Sequence, residues 1–205
     1  DIDRLIDDRR KTPRDDLITA LALAEEGGQG FSRDELLATC NTILTAGHET
    51  TTNLIGSLVY QLLLQPEQWA AVRANPALIG PAVEETLRYE APKQRNFRRV
   101  KKTHVFGGVE FAENEMVFQV IGAANRDPAN VPEPETFNIR REKIDHLSFG
   151  FGIHFCLGAP LATMEARVVL ETLLKHAPSV RLVPDGMKWQ ERVQFRGPGQ
   201  LPLTV

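Results

Sequence analysis

The chain has 205 residues, 42% of them apolar and 25% charged, with a formal net charge of −3. That balance is ordinary for a soluble globular body, and without a basic excess it argues against a nucleic-acid partner. Two cysteines, Cys40 and Cys156, form no disulfide framework and suit a reducing, cytoplasmic setting; no apolar run reaches the roughly 18 residues that would indicate a membrane span, and no signal peptide is visible at the start.

The opening, "DIDRLIDDRRKTPRDD", reads as the end of a charged helix and a loop, so residues are expected to precede Asp1. "DDLITALALAEEGG" predicts an amphipathic helix closed by Gly27 and Gly28. Ser32 with Glu35 forms a capping box, and Pro66 marks the next stop. The helix between them should run about 33 residues, or roughly 50 Å. It is apolar on most sides and is expected to be buried. "PEQWAAVRANP" and "PAVEETLRYEAP" predict two shorter helices, each starting at a proline suited to a first turn. Between Asn96 and Val120 the pattern changes to short strands, "FRRV", "THVF", "VEF" and "MVFQVI", around Gly107-Gly108. A polar, proline-rich loop, "NRDPANVPEPETFNIRREKID", leads to "FGFGIHFCLG" at 149–158. "LATMEARVVLETLLKHAP" is a further amphipathic helix, and the tail reads as short strands and turns. The fold class is mainly α with a smaller β region.

Four stretches carry chemistry. In the first, Gly150, Gly152 and Gly158 permit unusual backbone angles and close approach of a flat ligand. Phe149, Phe151 and Phe155 supply an apolar wall. Cys156 stands at the entrance to the following helix, where the dipole and free N–H groups favour a thiolate able to bind a metal. A lone cysteine is ordinarily a small buried hydrophobe, but such a core residue needs neither the glycines nor the rings. In the second stretch, "AGHETT" at 46–51, Gly47 and successive threonines are poor helix residues, and Glu49 would be a costly buried acid. Threonines bonding back to carbonyls, with a local bend, would explain the run without function. A zinc-protease helix is excluded because position 52 is Thr. In the third, Glu85 and Arg88 share a helix face; a solvated surface pair would be worth little. In the fourth, "NFRRV" concentrates cationic side chains on a short strand.

The spacing F-x-x-G-x-x-x-C-x-G resembles the haem-ligand loop of the cytochrome P450 family, and A-G-x-E-T and E-x-x-R agree in type and order. Nearly the whole chain resembles the second half of a bacterial-type member, so residues 1–205 are expected to be the C-terminal half of a single haem-thiolate monooxygenase domain. The resemblance implies haem b as cofactor and Cys156 as the axial iron ligand, with Phe149, Gly150 and Gly158 framing the loop. It implies that Ala46 and Gly47 make room over the iron where the helix opens, and that Glu49 and Thr50 deliver protons to bound dioxygen. Arg98 and His154 would bind haem propionates. Glu85 and Arg88 would form a buried structural pair, joined in the family by a third arginine. That position is Thr136 here, so Arg140 or Arg141 substitutes, or the network has two members. Lys93 and Gln94 would line the substrate pocket. Lys93 is expected to pair with a substrate carboxylate, with a carboxylate elsewhere in the enzyme, or with a propionate, or to swing out to water.

The implied reaction inserts one atom of dioxygen into a small apolar organic substrate. Electrons would come from a ferredoxin or flavodoxin-type donor. A peroxide-driven peroxygenase or a non-catalytic haem-binding fragment are the rival readings; Glu49 and Thr50 argue against the first of them.

Overall fold

The computed structural model describes residues 2–26 and 29–205. The chain divides into two compact units, Asp1–Glu49 and Thr50–Val205. In the first, α1 (Ile2–Lys11) and α2 (Leu17–Leu23) pack Ile6, Ile18 and Leu21 with Leu36 and Cys40 from the start of the long helix α3 (Arg33–Leu64). Asp16 caps α2 by accepting from the Thr19 amide at 2.8 Å. Arg33 bridges to Asp3 and Asp7, each at 2.7 Å. The capping box forms as its sequence demands: the Ser32 amide donates to Glu35 at 2.9 Å, and the Glu35 amide donates to the Ser32 hydroxyl at 3.3 Å.

Two expectations need correction here. The helix read through "LITALALAEE" stops at Leu23, where Ala24 turns extended, and Glu25–Glu26 (β1) instead pairs antiparallel with Gln29–Gly30 (β2). The closing pair Gly27 and Gly28 lies outside the described residues. Nor is α3 buried along its length. Residues 41–48 are exposed, Leu44 among them, and Glu49 is only half-buried. Its apolar residues are covered where this chain offers a partner, at Leu36 and Cys40 in the first unit and at Leu54, Leu58 and Leu62 in the second.

In the second unit those three leucines, one per turn, meet Trp69 and Val72 of α4 (Pro66–Ala74), Val83 and Leu87 of α5 (Ile79–Tyr89), and Ala166 and Leu170 of the late helix described below. A single 3-10 turn, Pro76–Leu78, joins α4 to α5. Helix α5 begins two residues before Pro81, the expected start; a proline in the first turn removes only an N–H that has no helical acceptor.

The β region is a set of two-stranded ribbons. Arg95–Arg99 (β3) pairs with Met116–Val120 (β6), and His104–Phe106 (β4) pairs with Val109–Phe111 (β5) around Gly107-Gly108. A one-turn helix, α6 (Ile121–Ala124), follows β6, and the long helix after the cysteine loop is α7 (Ala159–His176). In the tail, Arg181–Leu182 (β7) pairs with Leu203–Thr204 (β10), and Lys188–Trp189 (β8) with Pro198–Gln200 (β9). The tail lies against α3 through two glycines. A Cβ on Gly56 would meet Pro198 Cδ at 3.2 Å, and one on Gly197 would meet Asn53 Oδ1 at 2.3 Å, so only glycine fits the second contact.

Candidate functional site

The cysteine loop takes its shape from its own backbone. The Gly150 amide donates to Leu147 O at 2.8 Å, Phe155 to Gly152 O at 3.0 Å, and Cys156 to Phe149 O at 2.8 Å. Gly150 and Gly152 take φ of 76° and 70°, a region that side chains disfavour. Gly158 departs from the expectation of unusual angles: at φ −83° it is the N-cap of α7. A Cβ there would stand 3.9 Å from Cys156 Sγ, an ordinary contact.

The loop is bolted to α5 from behind. Asn125, nearly fully buried, accepts from the Leu147 amide at 2.8 Å and donates to Ser148 Oγ at 3.0 Å. Ser148 in turn donates to Leu87 O at 2.5 Å. His146 Nε2 lies 3.0 Å from a Glu84 carboxylate oxygen, and Phe149 packs against the core. Sequence reading passed over Asn125 and Ser148. The signal was "ANRD", a polar cluster immediately after an apolar strand.

The opposite side of the loop is open. Cys156 is a free, exposed thiol, and Phe151, Ile153 and Leu157 are 87%, 98% and 94% exposed. His154 is exposed beside them. One soft sulfur donor on an apolar shelf, with its amide bonded inward, fits a flat apolar macrocycle whose metal takes a thiolate. No group of three or more His, Cys, Asp or Glu among the described residues offers another metal site.

Behind the shelf, Glu85 and Arg88 are buried on α5, 0% and 1% exposed. Arg88 Nε and Nη2 each reach a Glu85 oxygen at 2.7 Å. The guanidinium also donates to the carbonyls of Asn125, Pro134 and Thr136 at 3.0–3.2 Å. The third arginine is Arg141: its Nε meets Glu85 Oε1 at 3.0 Å, and its other nitrogens donate to Pro132, Glu133 and Thr136 carbonyls. Arg140 is exposed and does not take that place. Thr136 thus remains in the network through its backbone oxygen, which both arginines share.

The remaining predicted residues are dispersed. Ala46, Gly47 and Glu49 sit on α3 in the first unit and Thr50 on α3 in the second, and the helix is continuous through them rather than open. Thr42, two turns before that run, bonds back to Ala38 O at 2.7 Å. Arg98 is exposed on β3, opposite Val117, with Nη1 donating to Phe97 O at 2.9 Å. Lys93 is half-exposed and bridges Phe195 of the tail, held by Gln94 N to Gln194 O at 2.8 Å and Arg196 N to Pro92 O at 2.9 Å. Gln94 turns its amide back to Ala91 O at 2.7 Å and lies over Gly122. Facing partners across a bridge share one side of the ribbon, so Lys93 and Phe195 lie together.

Comparison with known proteins agrees with this layout. A 46% identical relative, "Cytochrome P450 107B1" of Saccharopolyspora erythraea, aligns over 97% of this chain and 50% of its own length. "6-deoxyerythronolide B hydroxylase" of the same organism is 40% identical over 98% of this chain and 50% of that protein. Among solved structures, P450BioI in complex with hexadec-9Z-enoic acid ligated acyl carrier protein superposes with a TM-score of 0.93 at 41% identity, covering 99% of this chain and 52% of that one. The chain therefore spans about half the length of the relatives it matches. The family description "Cytochrome P450" fits residues 2–191, and on that match, with relatives at 40–46% identity along nearly its whole length, the chain belongs to the cytochrome P450 family.

Proposed function

We propose that this chain is the C-terminal half of a single haem-thiolate monooxygenase domain, carrying the thiolate ligand and the proton-delivery residues of a cytoplasmic enzyme. The single observation behind this reading is the exposed Cys156 thiol on an apolar shelf whose backbone is already hydrogen-bonded inward. When bound, haem b supplies the activation of dioxygen and the insertion of one oxygen atom into an apolar organic substrate. The Cys156 thiolate would hold its iron, and the inward bond from the Cys156 amide fixes the loop that carries the sulfur. Arg98 and His154, both exposed, are the propionate partners; Phe149, Gly150 and Gly158 frame the loop, and Ala46 and Gly47 keep α3 free of bulky side chains just ahead of Glu49. The Thr50 hydroxyl and the Glu49 carboxylate hold and pass protons. Glu85 and Arg88, with Arg141, keep the shelf rigid.

Electrons come from a ferredoxin or flavodoxin-type donor, as the likeness to bacterial members of the family implies. No helix of the described residues is long and apolar enough to cross a membrane. The relatives' names, among them "Vitamin D(3) 25-hydroxylase" and "Polyketide biosynthesis cytochrome P450 PksS", support a small apolar organic molecule as substrate. Lys93, half-exposed beside Phe195, is open to a carboxylate elsewhere in the enzyme, a propionate or water, which a long cationic side chain readily reaches, and to a substrate carboxylate as the alternative. The test of the central claim is Cys156→Ser in the full-length enzyme. Reduced protein under carbon monoxide should lose the red-shifted thiolate Soret band, and Cys40→Ser, a change in a separate core, should keep it. Survival of the band in Cys156→Ser would refute the assignment.

A further inference from the structure

The histidine just ahead of the cysteine loop has both ring nitrogens engaged. His146 Nδ1 accepts from the Ser148 amide at 3.3 Å, and Nε2 lies 3.0 Å from Glu84 Oε2 on α5. A backbone N–H can only donate, and an ionised carboxylate can only accept. Nδ1 is therefore the bare nitrogen and Nε2 carries the proton. A second proton, on Nδ1, would point at the Ser148 N–H, so the ring is neutral in this arrangement. Its side chain is 7% exposed, which leaves water little room to replace either partner.

Two sets of contacts run from this ring toward Cys156. One is the backbone: Leu147 O accepts from the Gly150 amide and Phe149 O from the Cys156 amide, each at 2.8 Å, so the placement of residues 147–149 governs that of the thiol. The other is aromatic: the His146 ring centroid lies 5.8 Å from that of Phe149, and Phe149 lies 6.2 Å from Phe155, the residue before the thiol. Charge around the ring is of both signs. Asp145 is paired with Lys143, and Arg167 and Glu171 of α7 line the cleft of about 670 Å³ that His146 and Glu84 also line.

We infer that His146 is a positioning residue for the Cys156 thiolate, and that Glu84 acts by holding it in the Nε2–H tautomer that leaves Nδ1 bare for the Ser148 amide. A hydrogen bond to a charged acceptor, discounted because the Glu84 side chain is 41% exposed, shifts the tautomer balance about fivefold. The other tautomer sets Nδ1–H against the Ser148 N–H and displaces the entrance to the loop. The inference rests on the reading of Cys156 as the iron ligand.

The test uses the full-length haem enzyme as its reduced carbon monoxide complex. Nitrogen NMR of histidine-labelled protein, with His146 identified by its loss in His146→Asn, should show Nδ1 bare and Nε2 protonated; a protonated Nδ1 overturns the inference. Glu84→Leu should mix the tautomers and speed the decay of the red-shifted thiolate Soret band on mild warming about fivefold. His146→Asn supplies an amide oxygen near the Nδ1 position and has no tautomer to choose, so its band should persist as in wild type. Adding Glu84→Leu to His146→Asn should then cost nothing further. A Glu84→Leu effect of the same size in both backgrounds, or none in wild type, overturns the inference. Should His146→Asn load no haem, the comparison is Glu84→Gln, whose amide oxygen still accepts from Nε2: it should keep the tautomer and the band where Glu84→Leu loses them, and equal loss in both overturns the inference. If the band survives Cys156→Ser, the ligand reading fails and the inference with it; a protonated Nδ1, with the band lost in Cys156→Ser, overturns the inference alone.

Discussion

Glu85→Ala is the most informative change in the structure. The carboxylate receives four hydrogen bonds, from Arg88 Nε and Nη2, Arg141 Nε and the Asn138 amide. Removing it leaves the Arg88 guanidinium 1% exposed and without a counter-charge. Stranding one partner of a buried pair costs about 3–5 kcal/mol, against a total stability of roughly 5–15 kcal/mol. In a full-length protein about twice this size, where 1 kcal/mol moves the midpoint by roughly 1–2 °C, the melting temperature should fall by about 3–10 °C. Thermal denaturation of the full-length protein, with haem content measured alongside, reads the effect. An apolar double replacement, Glu85→Leu with Arg88→Met, should recover little. Although it removes both charges, it orphans the Asn125 and Pro134 carbonyls that Arg88 now satisfies and the Asn138 amide that Glu85 accepts from. A Glu85→Ala protein melting within about 2 °C of wild type, with full haem content, would refute the buried-network argument.

Thr50→Ala should keep the haem spectrum yet divert electrons, releasing peroxide in place of product; the ratio of product to electrons consumed is the measurement. Lys93→Leu should leave the preference for an acid over its matched ester unchanged in binding titrations, and a narrowed preference would assign Lys93 to a substrate carboxylate. In the first unit, the hydrogen bond from Arg9, then the Thr19 amide, hold the Asp16 carboxyl at about 2, below its ordinary 3.8. A depressed acid stabilises the folded form above the ordinary value, and that contribution is lost as pH falls through about 2. Amide-exchange protection of α2 should therefore decline between those two values. Asp16→Asn should flatten the decline, and an unaltered acid limb in that variant would rule the linkage out.

What could be read from the sequence was local or strongly patterned. The α3 start followed from Ser32 and Glu35 because the box closes within one turn. The cysteine loop followed from its glycine and phenylalanine spacing, because little else needs that composition. Contacts between distant positions were not legible. Arg141 reaches Glu85 across 56 residues, and no periodicity distinguishes it from Arg140. Asn125 grips Leu147 and Ser148 across similarly unpatterned loop. The exposure of residues 41–48 was misjudged for another reason: periodicity shows which face of a helix is able to bury itself, and says nothing of whether this chain supplies the surface to bury it against.

The contact between Gly197 and Asn53 bears on recombination among relatives. Grafting a C-terminal tail from one family member onto the body of another would change the strand that bridges Lys93. Here the graft succeeds only if the donor tail brings a glycine at 197, because any Cβ there would lie 2.3 Å from Asn53 Oδ1. The Pro198 contact with Gly56 adds a second matching condition one turn along α3. The sound crossover point is therefore upstream of Thr50, so that the helix segment and the tail it grips are inherited from the same parent.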